Sequence, residues 1–217
     1  MSPSVTDRRP ETAFAPLAVE VRDLSCIRGG RLVFSDISFR ASPGTLLAVT
    51  GPNGSGKSSL LRLLAGLLRP HSGGILFEGL RDDQAFLHYL GHADALKPAL
   101  TLRETLNFWA SLYRRGPVAS AADVGDASAA VGLRHALDLR TGTLSAGQRR
   151  RAGLARLILP PRPLWLLDEP GAALDRDGEA VLGGLMRRHL DAGGIIVAAT
   201  HQALPVAPHA IVDLGGG

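Results

Sequence analysis

The sequence predicts an α/β protein: a parallel-sheet core flanked by an antiparallel β subdomain, with a helical lobe inserted into the core. Three observations carry this. "TLLAVT" (45–50), "LWLLDE" (164–169) and "GIIVAATH" (194–201) are short apolar runs of the kind that form strands buried on both faces. "LAVEVRDLSCI" and "LVFSDISFRA" instead alternate apolar and polar residues, as half-buried antiparallel strands do. Residues 92 to about 160 carry helix signals between one core strand and the next.

The elements follow in order. "MSPSVTDRRPETAFAP" is rich in Pro, Ser and Thr and has no apolar stretch, so residues 1–16 read as a flexible tail and not a secretory signal. Residues 17–217 then form one domain. After the two alternating strands, Ser42-Pro43-Gly44 is a turn leading into the first core strand. From Lys57 the pattern becomes helical, with Leu60, Leu61, Leu64 and Leu67/Leu68 on one face and Arg69-Pro70 as its stop. "GGILFEG" reads as a hairpin. Thr101 and Glu104 form a Thr-x-x-Glu capping box, followed by an apolar stripe of Leu102, Leu106, Trp109 and Tyr113. "PVASAADVGDASAAVGL" holds a second, weakly specified helix. The core resumes at 164–169 and 194–201, "AIVDL" adds a last strand, and helical crossovers between buried strands imply right-handed βαβ units.

Bulk properties narrow the function less. The net charge of +4 suits phosphate ligands, nucleic acid or an anionic membrane face without choosing among them. The longest apolar runs fall far short of the ~20 residues that span a bilayer, so any membrane role passes through a partner. The single cysteine, Cys26, cannot form an internal disulfide and fits a small buried hydrophobe in a reducing compartment. His71, His88, His135, His189 and His209 show no metal-ligand spacing and read as structural.

Chemistry concentrates at three strand ends. "GPNGSGKSS" fits G-x-x-x-x-G-K-[ST] across Gly51, Pro52, Asn53, Gly54, Ser55, Gly56, Lys57, Ser58 and Ser59, between an apolar strand and a helix. Its glycines let successive N–H groups curl inward as an anion nest, and the helix N-terminus adds positive potential. Lys57 would reach the β- and γ-phosphates and the Ser58 hydroxyl would bind Mg²⁺. The strand "LWLLD" ends in Asp168, a second Mg²⁺ group facing the same crevice, with Glu169 beside it as a general base or water-orienting group. His201 ends a third strand and is placed for a γ-phosphate contact.

At this point the sequence resembles the ATP-binding-cassette ATPases, from about Leu17 to the C-terminus. Their diagnostic Leu-Ser-Gly-Gly-Gln stretch appears as Leu144, Ser145, Ala146, Gly147, Gln148, and "GAALD" resembles the loop that links two half-sites through its last residue, Asp175. The resemblance implies ATP and Mg²⁺ as ligands, and a head-to-tail pair in which Ser145 to Gln148 bind the γ-phosphate held by a second copy. It also makes His201 the switch histidine.

Arg149, Arg150 and Arg151 follow the diagnostic stretch. Because helical neighbours point about 100° apart, they read as phosphate-proximal or solvated charge and not as a nucleic-acid surface. Two departures are specific. His92 stands where the family has a glutamine that touches Mg²⁺, and imidazole suits a water-mediated contact better than direct ligation. Arg28 stands where an aromatic ring stacks on adenine; it either stacks in its place or is a solvated turn residue.

With "YLGH…LK", "LSAGQRRR" and "THQ", these features are similar to the ATP-binding subunits of cytochrome c maturation haem exporters. That narrower likeness implies integral membrane permease subunits as partners, docking at the cytoplasmic face of the inner membrane, and no nucleic acid. An ATPase for another export cargo, or a soluble cassette ATPase acting on nucleic acid or ribosomes, is the alternative.

Overall fold

The computed structural model describes residues 14–80, 85–113 and 121–215. The expected tail therefore lies almost wholly outside the described residues, as do the side chain of Tyr113 and the start of the Ala/Gly-rich segment.

Strands β1 (Ala18–Arg28) and β2 (Arg31–Ala41) pair antiparallel, and β4 (Ser72–Glu78) pairs antiparallel with the other edge of β1. "GGILFEG" is thus no local hairpin: it reaches back to Ala18–Ser25 and completes a three-stranded sheet. The second sheet is parallel, with β5 (Leu87–Leu90), β6 (Leu164–Asp168), β7 (Ile195–Ala199), β3 (Leu46–Thr50) and β8 (Ala210–Asp213) side by side in that order.

The central strands β6, β7 and β3 are covered on both faces, which is why they read as unbroken apolar runs. Side chains alternate across a strand, and the burial obeys it. Leu47, Val49, Leu164, Leu166, Ile195 and Val197 pack with the antiparallel sheet and with α1 (Lys57–Leu64). Leu46, Trp165, Leu167, Ile196 and Ala198 pack against the helices on the opposite side. Those helices are α2 (Leu102–Tyr113), α3 (Ala121–Ala130), α4 (Ala146–Ala155) and α5 (Arg176–Asp191). The first three lie between β5 and β6 in the chain.

Local signals set the helix ends. Thr101 and Glu104 cap α2 reciprocally: Glu104 N–H donates to Thr101 Oγ1 at 3.1 Å and Thr101 N–H to the Glu104 carboxylate at 2.8 Å. Leu102, Leu106 and Trp109 are buried behind it. The Arg156 guanidinium lies 4.2 Å over the Trp109 ring and donates to Tyr89 O, tying the end of α4 to α2 and β5. Helix α1 stops earlier than its leucine pattern suggests. Gly66, at φ +70°, lets its own N–H reach Leu63 O at 3.0 Å and Leu67 N–H reach Arg62 O at 2.8 Å. This paired closure ends the helix before Arg69, leaving Leu67 exposed.

Two histidines are core residues. His88 contacts Pro160 O at 2.8 Å, and burial pushes its imidazole down to about 3. His189 stacks on Trp165 with centroids 3.9 Å apart, contacts Ile195 O, and is pushed by burial down to about 4.

Candidate nucleotide site

Between β3 and α1 the chain turns through Gly51–Gly56. Gly56 is the N-cap of α1, at φ 99° and ψ 10°, with no capping side chain and no acid in the first turn. The first N–H groups of α1 are thereby left for an external acceptor. A side chain at Gly56 has no room, since an added Cβ would lie 2.5 Å from Val33 Cγ1 and 2.8 Å from Phe34 Cδ1. The antiparallel sheet thus wedges the loop from behind. Lys57 is buried, and its ammonium folds back onto the loop, donating to Gly51 O at 2.7 Å and Pro52 O at 3.0 Å. The Ser55 hydroxyl is buried with no hydrogen-bond partner among the described residues. A cradle of undercapped N–H groups, a buried cation and an orphaned hydroxyl fits a polyphosphate.

The loop opens onto a cleft of about 470 Å³. Asn53, Gly54, Gly56, Lys57, Ser58 and Ser59 line it together with Asp168 and Glu169, and Arg28, Val33 and His92 also border it. Ser58 and Asp168 bring a hydroxyl and a carboxylate, hard oxygen donors of the kind a divalent cation such as Mg²⁺ takes. Arg62, on the second turn of α1, also lines the cleft. Sequence reasoning passed over it, although a helix that starts in a phosphate loop carries its own polar face past the loop's mouth. A larger groove of about 650 Å³, between α2, α3 and α5, contains none of these residues.

The acidic end of β6 is built by its pairing with β7. Asp168 sits opposite Ala199 and is only 4% exposed. Glu169 leaves the strand with φ +48°, a conformation strained for a residue with a side chain. Its N–H donates to Ala199 O at 2.9 Å, and its carboxylate meets His201 Nδ1 at 2.9 Å. His201 is exposed and adjoins the cleft through this carboxylate.

The other candidates lie elsewhere. Ser145 is the N-cap of α4, in a full capping box: Gln148 N–H donates to Ser145 Oγ at 3.1 Å and Ser145 N–H to Gln148 Oε1 at 2.9 Å. Gly147 faces the next loop, where an added Cβ would meet Ala173 O at 3.4 Å. Asp175 caps α5, accepting from Gly178 N–H at 2.8 Å. Ser145, Ala146, Gly147, Gln148 and Asp175 do not line the cleft described above.

The arginine run is corrected by the structure. Arg149 donates to Leu144 O and Arg151 to Val131 O at 3.3 Å. Arg150 is buried, not solvated, and its guanidinium faces the ends of β5 and β6.

A Gly-rich loop opening a helix beside an acidic strand end, on a parallel sheet, defines a P-loop nucleoside triphosphatase. Residues 34–172 match the ABC transporter family model. Relatives named cytochrome c biogenesis ATP-binding export protein CcmA are similar over most of the chain. The one from Rhodopseudomonas palustris (strain BisB5) is 51% identical, covering 86% of this chain and 92% of the relative. That from Bradyrhizobium diazoefficiens is 52% identical over 85% and 92%, and that from Rhizobium meliloti (strain 1021) 48% over 89% and 95%. Among solved structures, an ABC transporter ATP-binding protein from Pyrococcus furiosus superposes with a TM-score of 0.79 at 26% identity, covering 91% of this chain and 97% of that one. The chain belongs to the ABC transporter ATPases and, within them, to the cytochrome c biogenesis ATP-binding export proteins. It is a nucleotide-binding ATPase.

Proposed function

We propose that this chain is the ATP-hydrolysing subunit of a haem exporter serving cytochrome c biogenesis, turning over ATP between two copies of itself. Lys57 and the loop from Gly51 to Ser59 hold the triphosphate, its phosphates displacing the lysine from its own carbonyls. Arg28 stacks on the base, and His92 makes a water-mediated contact. Ser58 and Asp168 would hold Mg²⁺, whose charge would offset that on the β- and γ-phosphates. Glu169 orients the attacking water and accepts its proton, while His201 fixes the Glu169 carboxylate and contacts the γ-phosphate.

Ser145, Ala146, Gly147, Gln148 and Asp175 complete the cleft of the opposing copy. Their placement away from their own chain's cleft supports that reading. Residues 92 to about 160 act as one helical subdomain that docks on an integral membrane permease. Among the described residues no helix is long and apolar enough to cross a membrane, in keeping with attachment through that partner at the cytoplasmic face of the inner membrane.

The observation that carries this reading is the Glu169–His201 pair, 2.9 Å apart, at the edge of the cleft that also holds Lys57 and Asp168. Glu169→Gln is expected to trap an ATP-bound dimer with little turnover, read by size-exclusion chromatography and phosphate release. Hydrolysis at the unmodified rate would remove Glu169 from this role. The cargo is tested separately: the chain should co-purify with a membrane permease, and its loss should abolish holocytochrome c.

A further inference from the structure

One arginine of the three behind the diagnostic stretch turns inward beside the site. The Arg150 side chain is about 3% exposed, and its guanidinium reaches two separate segments. Toward β6 it donates to Asp168 O at 3.0 Å, to Glu169 O, and to Pro170 O at 3.3 Å. Toward the loop after β5 it donates to Gly91 O and Asp94 Oδ1, both at 3.2 Å. It stands on α4, five residues after the cap residue Ser145. A buried cation is costly unless charge and hydrogen bonds offset it; here one carboxylate and four carbonyls do.

Two of those carbonyls flank the strained peptide of Glu169. With its N–H held by Ala199 O and its carboxylate by His201, the residue is fixed at three points: ahead, behind and at the tip. Removing the carbonyl clamp leaves φ +48° with less to hold it and lets the carboxylate wander. The clamp also anchors Gly91, the residue before His92, so the His92 loop and Glu169 share one support.

The geometry points to Arg150 as a positioning residue for hydrolysis: it fixes the Glu169 backbone and ties it to the His92 loop, without touching nucleotide. This rests on the role proposed above for Glu169.

The test is steady-state ATP hydrolysis by the full chain, together with binding of a fluorescent ATP analogue. Arg150→Gln should lower kcat by about 10- to 100-fold, the scale of an ångström-level misplacement, while KM and analogue affinity stay within about threefold. Arg150→Lys, which keeps the charge but loses the planar fork, should recover part of the rate. Combined with Glu169→Gln, Arg150→Gln should cost nothing further, because both act through one group.

A kcat within twofold of the unmodified chain, a raised KM with kcat intact, or a multiplicative loss in the double variant would each overturn the assignment. Should Arg150→Gln fail to fold, Arg150→Lys and Asp94→Ala carry the test, and unchanged kcat in both overturns it. The two readings fail differently. Normal turnover by Glu169→Gln sinks the Glu169 role itself; an inactive Glu169→Gln beside normal Arg150 variants sinks only this inference.

Discussion

Replacing Gly56 by alanine separates two costs that its neighbour Gly54 allows to be told apart. At Gly56 the backbone sits at φ +99°, and the new Cβ would lie 2.5 Å from Val33 Cγ1, 2.8 Å from Phe34 Cδ1 and 3.2 Å from Phe34 Cε1. At Gly54 φ is +86°, yet nothing lies within 4 Å of the added carbon. Positive φ costs an alanine about 1–2 kcal/mol at either site. Only Gly56→Ala adds overpacking, about 1–3 kcal/mol more, because Val33 and Phe34 belong to β2 and Phe34 is itself buried. Expected losses are thus about 1–2 kcal/mol for Gly54→Ala and about 2–5 kcal/mol for Gly56→Ala, a large share of the ~5–15 kcal/mol that a domain has. Urea denaturation at pH 7 with a shared m-value measures the difference. Nucleotide affinity should fall in both variants, and more at Gly56, where the helix start is pushed from its wedge. Equal unfolding midpoints would show that β2 yields freely and that the sheet does not brace the phosphate loop.

Two further outcomes are expected. His88 and His189 stay neutral when folded because burial holds them at about 3 and about 4, whereas the unfolded chain takes up protons near 6.5. Stability is therefore full above about pH 7 and falls as pH drops through 6.5, by about 2 kcal/mol per ring at pH 5. Urea midpoints at the two pH values check this, and His189→Phe should shrink the acid loss by the share of one ring. Ser145→Ala removes the acceptor for Gln148 N–H and should cost about 1 kcal/mol. Ser145→Thr, which keeps a hydroxyl, should recover most of it in the same denaturation experiment.

What the sequence made legible divides by the range of the forces involved. The strands β3, β6 and β7 stood out because burial on both faces leaves no polar position to interrupt them. The phosphate loop stood out because its dihedral demands fix glycines at set spacings. By contrast β5 is four residues long and contains His88, whose burial is made tolerable by Pro160 O, a carbonyl far along the chain. No local pattern announces such a strand. The end of α1 departs from the leucine pattern for the opposite reason: Leu67 and Leu68 continue the apolar period, but Gly66 closes the helix first.

The same division runs through the site. Lys57 follows from the phosphate loop and Asp168 and Glu169 from their place at a strand end, whereas the meeting of Glu169 with His201 needs β6 and β7 to pair side by side in the register that sets Asp168 opposite Ala199. Arg150 is the sharper case. Three adjacent arginines are equivalent in composition, and helical geometry guarantees only that they diverge by about 100°. Which one turns inward depends on the phase at which α4 packs against the core, a tertiary quantity. The physical clue lies in the destination. The carboxyl end of a parallel strand presents carbonyls at the point where its ladder stops, as Asp168 and Glu169 do here. A guanidinium is the side chain best matched to several carbonyls at once. A basic run on a helix facing strand ends is therefore where a buried arginine should be sought, beside the chemistry and not on the surface.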